Sequence, residues 1–225
     1  MPKVLIVETN VQKYGDTNDP TGLWLGESAE FVDELAKAGW HYDFVSPKGG
    51  YVPLDPRSMK YVDDAIMRVY EDPQFVEAAL RNTRQPSEVD PADYDAIYYT
   101  GGHGVMWDFP NNPALIAIAS QIDANGGYLT SVCHGIAGLF NIKAADGTYV
   151  ITGKQITGFT TSEEVVAGKK KVVPFLNQEM AAARGANFVK KHAYQDNVVQ
   201  DGHLITGQNP FSVRSVAQAL IQALN

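Results

Sequence analysis

Short apolar segments alternate with amphipathic segments along the chain, and this alternation limits the fold more than any other feature of the sequence. Residues 4–7 are a continuous apolar run, as expected of a strand buried on both faces. Residues 27–38 place Phe31 and Leu35 at helical spacing, and residues 42–45 are the next predicted strand. The order strand–helix–strand predicts the βαβ unit of a parallel sheet.

Residues 48–93 interrupt this pattern. Glycines and prolines mark a loop, after which residues 59–69 place apolar side chains at steps of three and four, which predicts one amphipathic helix. A second short helix is expected after Pro73. The stretch is too short to bury a core of its own. We therefore expect a helical insertion within one domain that covers residues 1–225.

The parallel pattern resumes after the insertion. The later predicted elements are strands at 96–99, 128–132 and 155–157, helices at 113–125 and 174–184, a hairpin around Asp201-Gly202, and a C-terminal helix from Val213. Alternating strands and helices predict an α/β fold, with a doubly wound, mostly parallel sheet covered by helices on both faces.

Charge and composition exclude several classes of protein. The chain carries 18 Lys and Arg against 26 Asp and Glu, a net charge of −8, so we expect no nucleic-acid partner. No apolar run approaches the ~20 residues that span a bilayer. Residues 4–7 are too short for the core of a signal peptide, and we expect a cytoplasmic protein with no membrane contact.

Two glycine-rich motifs directly follow predicted strands. They are Gly-Gly-His-Gly (101–104) and Cys-His-Gly (133–135). Ligands of such sheets bind at the carboxyl ends of the strands. A strand that runs into a cysteine and then a helix is typical of a nucleophile elbow, in which backbone N–H groups hold an oxyanion. Cys133 is the only cysteine, and its alternative is an inert, buried apolar residue.

Four segments together resemble a known superfamily. They are Tyr-Thr-Gly-Gly-His-Gly (99–104), Ser-Val-Cys-His-Gly (131–135), Ile-Thr-Gly-Phe-Thr (156–160) and Leu-Ile-Thr-Gly-Gln-Asn-Pro (204–210). The chain resembles the ThiJ/PfpI superfamily, which has the class I glutamine-amidotransferase-like fold. Within it, the chain is most similar to the heat-shock-chaperone-like branch that includes glutathione-independent glyoxalases. Ile136 and Phe211 depart from the pattern, since proline and a small residue are common there.

The resemblance implies roles for individual residues. Cys133 matches the reactive cysteine, His134 the histidine that follows it, and Glu27 the glutamate that hydrogen-bonds the cysteine. In this branch an acid after the Gly-Phe-Thr strand completes a Cys-His-acid triad. That position is Glu164, with Glu163 as an adjacent rival.

The same resemblance places an oxyanion and substrate site around Gly101 and Gly102, with His103 lining the pocket. The ordinary alternative for each glutamate is an exposed acid in the first turn of a helix. The five histidines include no His-x-x-x-His pair, so no metal site is indicated.

The activity implied is a glutathione-independent glyoxalase. It would convert small aldehydes of the methylglyoxal type into 2-hydroxy acids such as lactate through a Cys133 hemithioacetal, with protein deglycation as a further activity. The chemistry uses a thiol, a proton shuttle and an oxyanion site, and requires no metal or organic cofactor. Three alternatives remain: a cysteine peptidase or amidase, a holdase chaperone, and a redox sensor that oxidises Cys133.

Two further expectations concern the thiol and the assembly. A helix N-terminus and a neighbouring proton acceptor would lower the pKa of the Cys133 thiol. Because an ionised Glu27 would raise that pKa, we expect Glu27 to be protonated and to donate a hydrogen bond. The resemblance implies a homodimer. Trp24 and Leu25 would be covered at its interface if they are exposed, or would pack under the helical insertion if they are not.

Overall fold

A six-stranded sheet forms the centre of the computed structural model, which describes all 225 residues. The strands are β1 (Lys3–Val7), β2 (His41–Val45), β3 (Ala96–Tyr99), β4 (Tyr128–Val132), β5 (Gln155–Ile156), β6 (Asn187–Phe188), β7 (Val198–Asp201) and β8 (Leu204–Gly207). The order in the sheet is β2-β1-β3-β4-β8-β7, and only β7 is antiparallel to its neighbour. Strands β5 and β6 pair separately. The predicted α/β fold with a mostly parallel sheet is confirmed.

Helices cover both faces of this sheet. They are α1 (Leu25–Lys37), α2 (Asp64–Tyr70), α3 (Pro73–Phe75), α4 (Val105–Asp108), α5 (Pro113–Ala124), α6 (Thr161–Val166), α7 (Asn177–Ala183) and α8 (Val213–Leu224). None of them combines the length and the apolar character that a membrane-spanning helix needs.

The core has two layers because side chains alternate across each strand. Val4 and Ile6 of β1 lie in one buried cluster together with side chains of α1 and α8. Leu5 and Val7 lie in the other, together with side chains of α5. Arg214 ties α8 to α1 through Glu30, Asp33 and Glu34. The sequence predicts that strand β1 is buried on both faces, and the structure agrees.

The helical insertion differs from the prediction of one helix over residues 59–69. A 3₁₀ turn at Ser58–Tyr61 ends before α2, and Asp63 begins the new helix by accepting a hydrogen bond from the Ile66 N–H at 2.8 Å. An aspartate is a strong N-cap, and its capping bond starts a helix at a fixed residue. The segment after Pro73 continues from α3 into a π-helical turn at Val76–Arg81.

The predicted hairpin is present, but its place in the sheet was not anticipated. Strand β8 pairs in parallel with β4, so residues that follow β8 lie beside residues that follow β4. This pairing brings Gln208 and Asn209 to the edge of the sheet that carries Cys133. The helix predicted at 174–184 begins later, at Asn177.

Candidate active site

Cys133 occupies a sharp turn at the carboxyl end of β4. Its φ of 57° lies in the left-handed region, which costs a non-glycine residue roughly 1–2 kcal/mol. The chain continues as a 3₁₀ helix at Cys133–Leu139, and the cysteine side chain is 3% exposed. This strained turn at a strand end is the geometry of a nucleophile elbow.

His134 connects the thiol to a buried carboxylate. Its Nδ1 lies 3.4 Å from Cys133 Sγ, and its Nε2 forms a short hydrogen bond with Glu164 Oε1. Because a carboxylate oxygen only accepts, Nε2 carries the proton and the Nδ1 lone pair faces the sulfur. Burial opposes ionisation of Glu164, but His134 and hydrogen bonds from two histidines outweigh it and lower its pKa to about 2. The arrangement can accept the thiol proton.

His103 uses the same carboxylate. Its Nε2 lies 3.0 Å from Glu164 Oε1, and its ring is 4.0 Å from that of His134. Burial, together with the nearby His134, lowers the pKa of His103 to about 4, so its imidazole is neutral. His103 therefore lines the pocket, as the resemblance implies, and it also helps to orient the acid.

Glu27 approaches the thiol from the other side. It lies in the first turn of α1, is fully buried, and its Oε2 accepts a hydrogen bond from the Gly101 N–H at 2.7 Å. Burial raises its pKa to about 8, against the lowering effect of the nearby Cys133 thiol and of the Gly101 N–H. The carboxyl group is thus protonated at neutral pH. A Cβ at Gly101 would lie 2.4 Å from Glu27 Oε2, so only glycine fits there.

The prediction that the pKa of the Cys133 thiol is lowered is wrong, because the structure raises it. Burial raises the pKa of Cys133, and the adjacent Glu27 raises it further. The helix that follows is a short 3₁₀ segment, and its N-terminus does not offset this desolvation. Deprotonation of the thiol must therefore be coupled to a base, and His134 is placed for that role.

Two backbone N–H groups can hold a developing oxyanion. Gly102 has a φ of +100°, which suits glycine, and its N–H has no backbone acceptor. The backbone N–H of His134 lies beside the thiol and favours its ionised form. Gly102 and His134 both line the cavity above Cys133. They stand where the resemblance implies an oxyanion site, and that role stays a prediction.

Glu163 does not reach His134. Its carboxylate is fully buried and accepts hydrogen bonds from Thr160, Tyr194 and Asn209. Glu164, at 2% exposure, is the acid that contacts the histidine. The alternative of an exposed acidic helix start is wrong for both residues.

The cavity above the thiol has a volume of about 690 Å³ and an aromatic mouth. Trp24, Tyr61, Tyr194 and Phe211 line its outer part. Trp24 packs on Tyr61 with ring centroids 5.4 Å apart, and Leu25 is fully buried in the core. These two residues therefore pack beneath the insertion, and the exposed pair proposed as an interface is absent.

The sequence did not reveal one group of pocket residues. Tyr14 packs on His103 at 5.2 Å between ring centroids, and the charged ends of Lys169 and Arg57 lie over the Tyr14 ring. Asp19 pairs with both cations. The group joins three distant segments and matches no motif, so no local pattern could have indicated it.

His103, His134 and Glu164 also form a group of possible metal ligands. One donor atom from each lies within 4.8 Å of the others. The spacing of histidines along the chain did not predict this group, because its three residues come from separate segments that meet only in the fold: the ends of β3 and β4 and the helix α6. The Nε2 atoms of His103 and His134 already direct their protons at the Glu164 carboxylate, so a cation would have to displace those two protons.

The parallel sheet, the elbow cysteine and its buried His–Glu pair define an α/β protein of the nucleophile-elbow type. Residues 25–223 match the DJ-1/PfpI family. The chain belongs to this family.

Individual relatives cover nearly the whole chain. A glutathione-independent glyoxalase of Schizosaccharomyces pombe is 33% identical over 91% of this chain and 89% of that protein. The crystal structure of glyoxalase III from Candida albicans has a TM-score of 0.88 at 29% identity, covering 99% of this chain and 97% of that one. The Rapid Encystment Protein of Francisella tularensis has a TM-score of 0.96 at 35% identity and full coverage of both chains.

Proposed function

We propose that this protein is a glutathione-independent glyoxalase that converts methylglyoxal-type α-oxoaldehydes into 2-hydroxy acids. The observation that carries the proposal is the placement of one thiol between two proton carriers. His134 Nδ1 lies 3.4 Å from Cys133 Sγ, and the protonated Glu27 lies on the other side. Glyoxalase names among relatives that cover nearly the whole chain support the same activity.

The first step is addition of the thiol to the aldehyde. Cys133 Sγ bonds to the aldehyde carbon C1 while His134 Nδ1 takes the thiol proton. The charge on the aldehyde oxygen develops beside the N–H groups of Gly102 and His134. His134 then returns the proton to that oxygen, which gives a neutral hemithioacetal.

The second step moves hydrogen between two carbons. His134 removes the C1 proton while Glu27 donates its proton to the C2 oxygen, giving an enediol. His134 then protonates C2, and Glu27 regains a proton from the C1 hydroxyl. Both residues return to their starting states and the product is a thioester. Water cleaves it, which releases lactate and the Cys133 thiol.

The size of the cavity supports a second substrate form. A three-carbon aldehyde fills only part of a space of about 690 Å³ that opens through an aromatic mouth. The slender adduct of such an aldehyde at the end of a long side chain can reach into this space while the larger molecule stays outside, which supports deglycation as an additional activity.

Release of lactate from methylglyoxal without glutathione tests the proposal. The Cys133→Ser variant should lose at least about 10³-fold in turnover, because a hydroxyl is a far weaker nucleophile than a thiol. Suppression of protein aggregation that persists in this variant would instead favour a chaperone. Hydrolysis of peptides or amides without lactate formation would favour a peptidase, and peroxide-dependent signalling without turnover would favour a sensor.

Assembly and location complete the proposal. We retain the homodimer that the resemblance implies, although Leu25 is buried and gives it no support. Light scattering at micromolar concentration should give twice the mass of one chain, whereas the mass of one chain would refute it. A single free cysteine agrees with a cytoplasmic location, where thiols stay reduced.

A further inference from the structure

The carboxylate of Glu163 joins three separate segments of the chain. Its Oε1 accepts hydrogen bonds from the Tyr194 backbone N–H at 2.8 Å and from Asn209 Nδ2 at 2.9 Å. Gln208 Nε2 donates a third bond at 3.1 Å. Its Oε2 accepts from the backbone N–H and the hydroxyl of Thr160, each at 2.8 Å. The reaction steps above leave this fully buried group without a part.

Each joined segment carries an aromatic side chain that lines the cavity. Phe159 precedes Thr160, Tyr194 carries its own ring, and Phe211 follows Asn209-Pro210. The ring of Tyr194 packs edge-on against Phe159 at 6.0 Å and against Phe211 at 6.3 Å. We call Phe159, Tyr194 and Phe211 the aromatic wall. It extends from His134, whose ring lies 4.3 Å from Phe159, to the mouth, where Phe211 is 54% exposed.

The bonding pattern at Glu163 requires a carboxylate. All five partners are donors, and a carboxylate has only acceptors, so both oxygens are satisfied. An amide would direct its own N–H groups at one set of donors. Tyr194 has a φ of +59°, a conformation that bulky residues seldom adopt and that persists only when neighbouring contacts hold it. Its hydrogen bond to Glu163 is one of those contacts.

We propose that Glu163 is a positioning residue that holds the aromatic wall in place and so determines which aldehydes reach Cys133. The choice of aldehydes as substrates rests on the proposed glyoxalase function. The role of Glu163 in holding the aromatic wall does not depend on that function. With the wall in place, Tyr194 and Phe211 narrow the path to the thiol and favour small aldehydes. When the wall is loosened, bulkier aldehydes gain access.

The Glu163→Gln variant tests this with two aldehydes, methylglyoxal and the bulkier tert-butylglyoxal. The kcat/KM for tert-butylglyoxal divided by that for methylglyoxal should rise about tenfold, the range over which pocket shape discriminates. Glu164→Gln should lower both values together and leave the ratio unchanged, because it impairs the base. Glu179→Gln replaces an exposed glutamate in the first turn of α7 and is the matched control. An unchanged ratio in folded Glu163→Gln overturns the proposal.

A second variant keeps the proposal testable if Glu163→Gln does not fold. A second measurement, which needs no turnover, tests the aromatic wall independently of the glyoxalase function. Tyr194→Gly suits the positive φ, keeps the N–H bonded to Glu163 and removes the ring, so it should raise the same ratio. Alkylation of Cys133 by a bulky maleimide, divided by that by iodoacetamide, should rise in both variants whether or not the protein turns over aldehydes. A higher alkylation ratio without lactate release would refute the glyoxalase and support the wall. Unchanged alkylation and substrate ratios in Tyr194→Gly would refute the wall alone.

Discussion

His103 and His134 direct their Nε2 atoms at the same oxygen of Glu164, with their rings 4.0 Å apart. Only His134 also contacts the thiol, through Nδ1. In the proposed mechanism the two imidazoles have unequal tasks: His134 exchanges protons with substrate, and His103, kept neutral by burial, orients the carboxylate. Two donors on one oxygen also keep that carboxylate ionised, with a pKa of about 2.

The Glu164→Gln variant should lose turnover while it stays folded. Glutamine cannot stabilise the positive charge that His134 acquires when it takes the thiol proton, and we expect kcat to fall by about 10²–10⁴-fold. Steady-state kinetics with methylglyoxal measures the loss, and circular dichroism checks the fold. A loss smaller than about tenfold in a folded variant would mean that His134 does not need the acid.

Glu27 should set the alkaline limb of the pH–rate profile. The proposed second step needs a protonated Glu27, and burial raises its pKa to about 8, so kcat should decline as the pH rises past that value. Glu27→Gln keeps an acceptor for Gly101 but cannot exchange protons, and it should lower kcat by about 10²-fold with no such limb. The pH dependence of kcat measures both effects. An alkaline limb that survives in Glu27→Gln would assign it to another group.

The thiol of Cys133 should react slowly with alkylating agents at neutral pH. Burial and Glu27 raise its pKa, so the midpoint of its iodoacetamide labelling should lie above the free value of about 8.5. Glu27→Gln removes the carboxylate charge that forms at alkaline pH, and its midpoint should be lower. Labelling rates across pH measure this directly because the chain has one cysteine. A wild-type midpoint below the free value would show a preformed thiolate.

Glu8 should make the protein less stable as pH rises. It is fully buried, one oxygen accepts from Ser28 Oγ at 2.6 Å, the other has no partner, and burial raises its pKa to about 8. Between its unfolded pKa of about 4.3 and about 8, the folded state keeps a proton that the unfolded state has lost. The free energy of unfolding therefore falls across this window, by on the order of a few kcal/mol, and remains low above it.

The Glu8→Gln variant should remove this contribution, while Glu27 contributes in the same direction and stays. Urea unfolding at about pH 5 and about pH 8 should show the variant losing less stability than the wild type between the two. An equal loss of stability between the two pH values in both proteins would mean that ionisation of Glu8 does not destabilise the folded state.

Much of the fold could be predicted because its strands are buried on both faces. Short apolar runs such as residues 4–7 and 96–99 then indicate strands, because they are too short for helices, and the residues after them mark the ligand edge. Cys133 and His134 became candidate site residues by this route, whereas Glu27 and Glu164 became candidates only through the family resemblance. A glutamate near a helix start has the same local pattern whether it faces solvent or a thiol.

What the sequence could not reveal depends on contacts between distant segments. The break at Asp63 was missed because apolar spacing continues through it while the capping bond is local. A lowered pKa of Cys133 was predicted from the expected helix N-terminus, but burial of the thiol has the larger effect and raises the pKa. The contact of Tyr14 with His103 joins residues from two loops that no periodicity links.

The pairing of β4 with β8 has a consequence for biosynthesis. While the chain is being made, β4 has β3 on one side and an open edge on the other until residues 204–207 have left the ribosome. An open edge strand readily pairs with other chains, so a stalled or truncated product would expose the strand that ends at Cys133. The strand that positions Cys133 is therefore completed late, by a segment that lies far beyond it in the sequence.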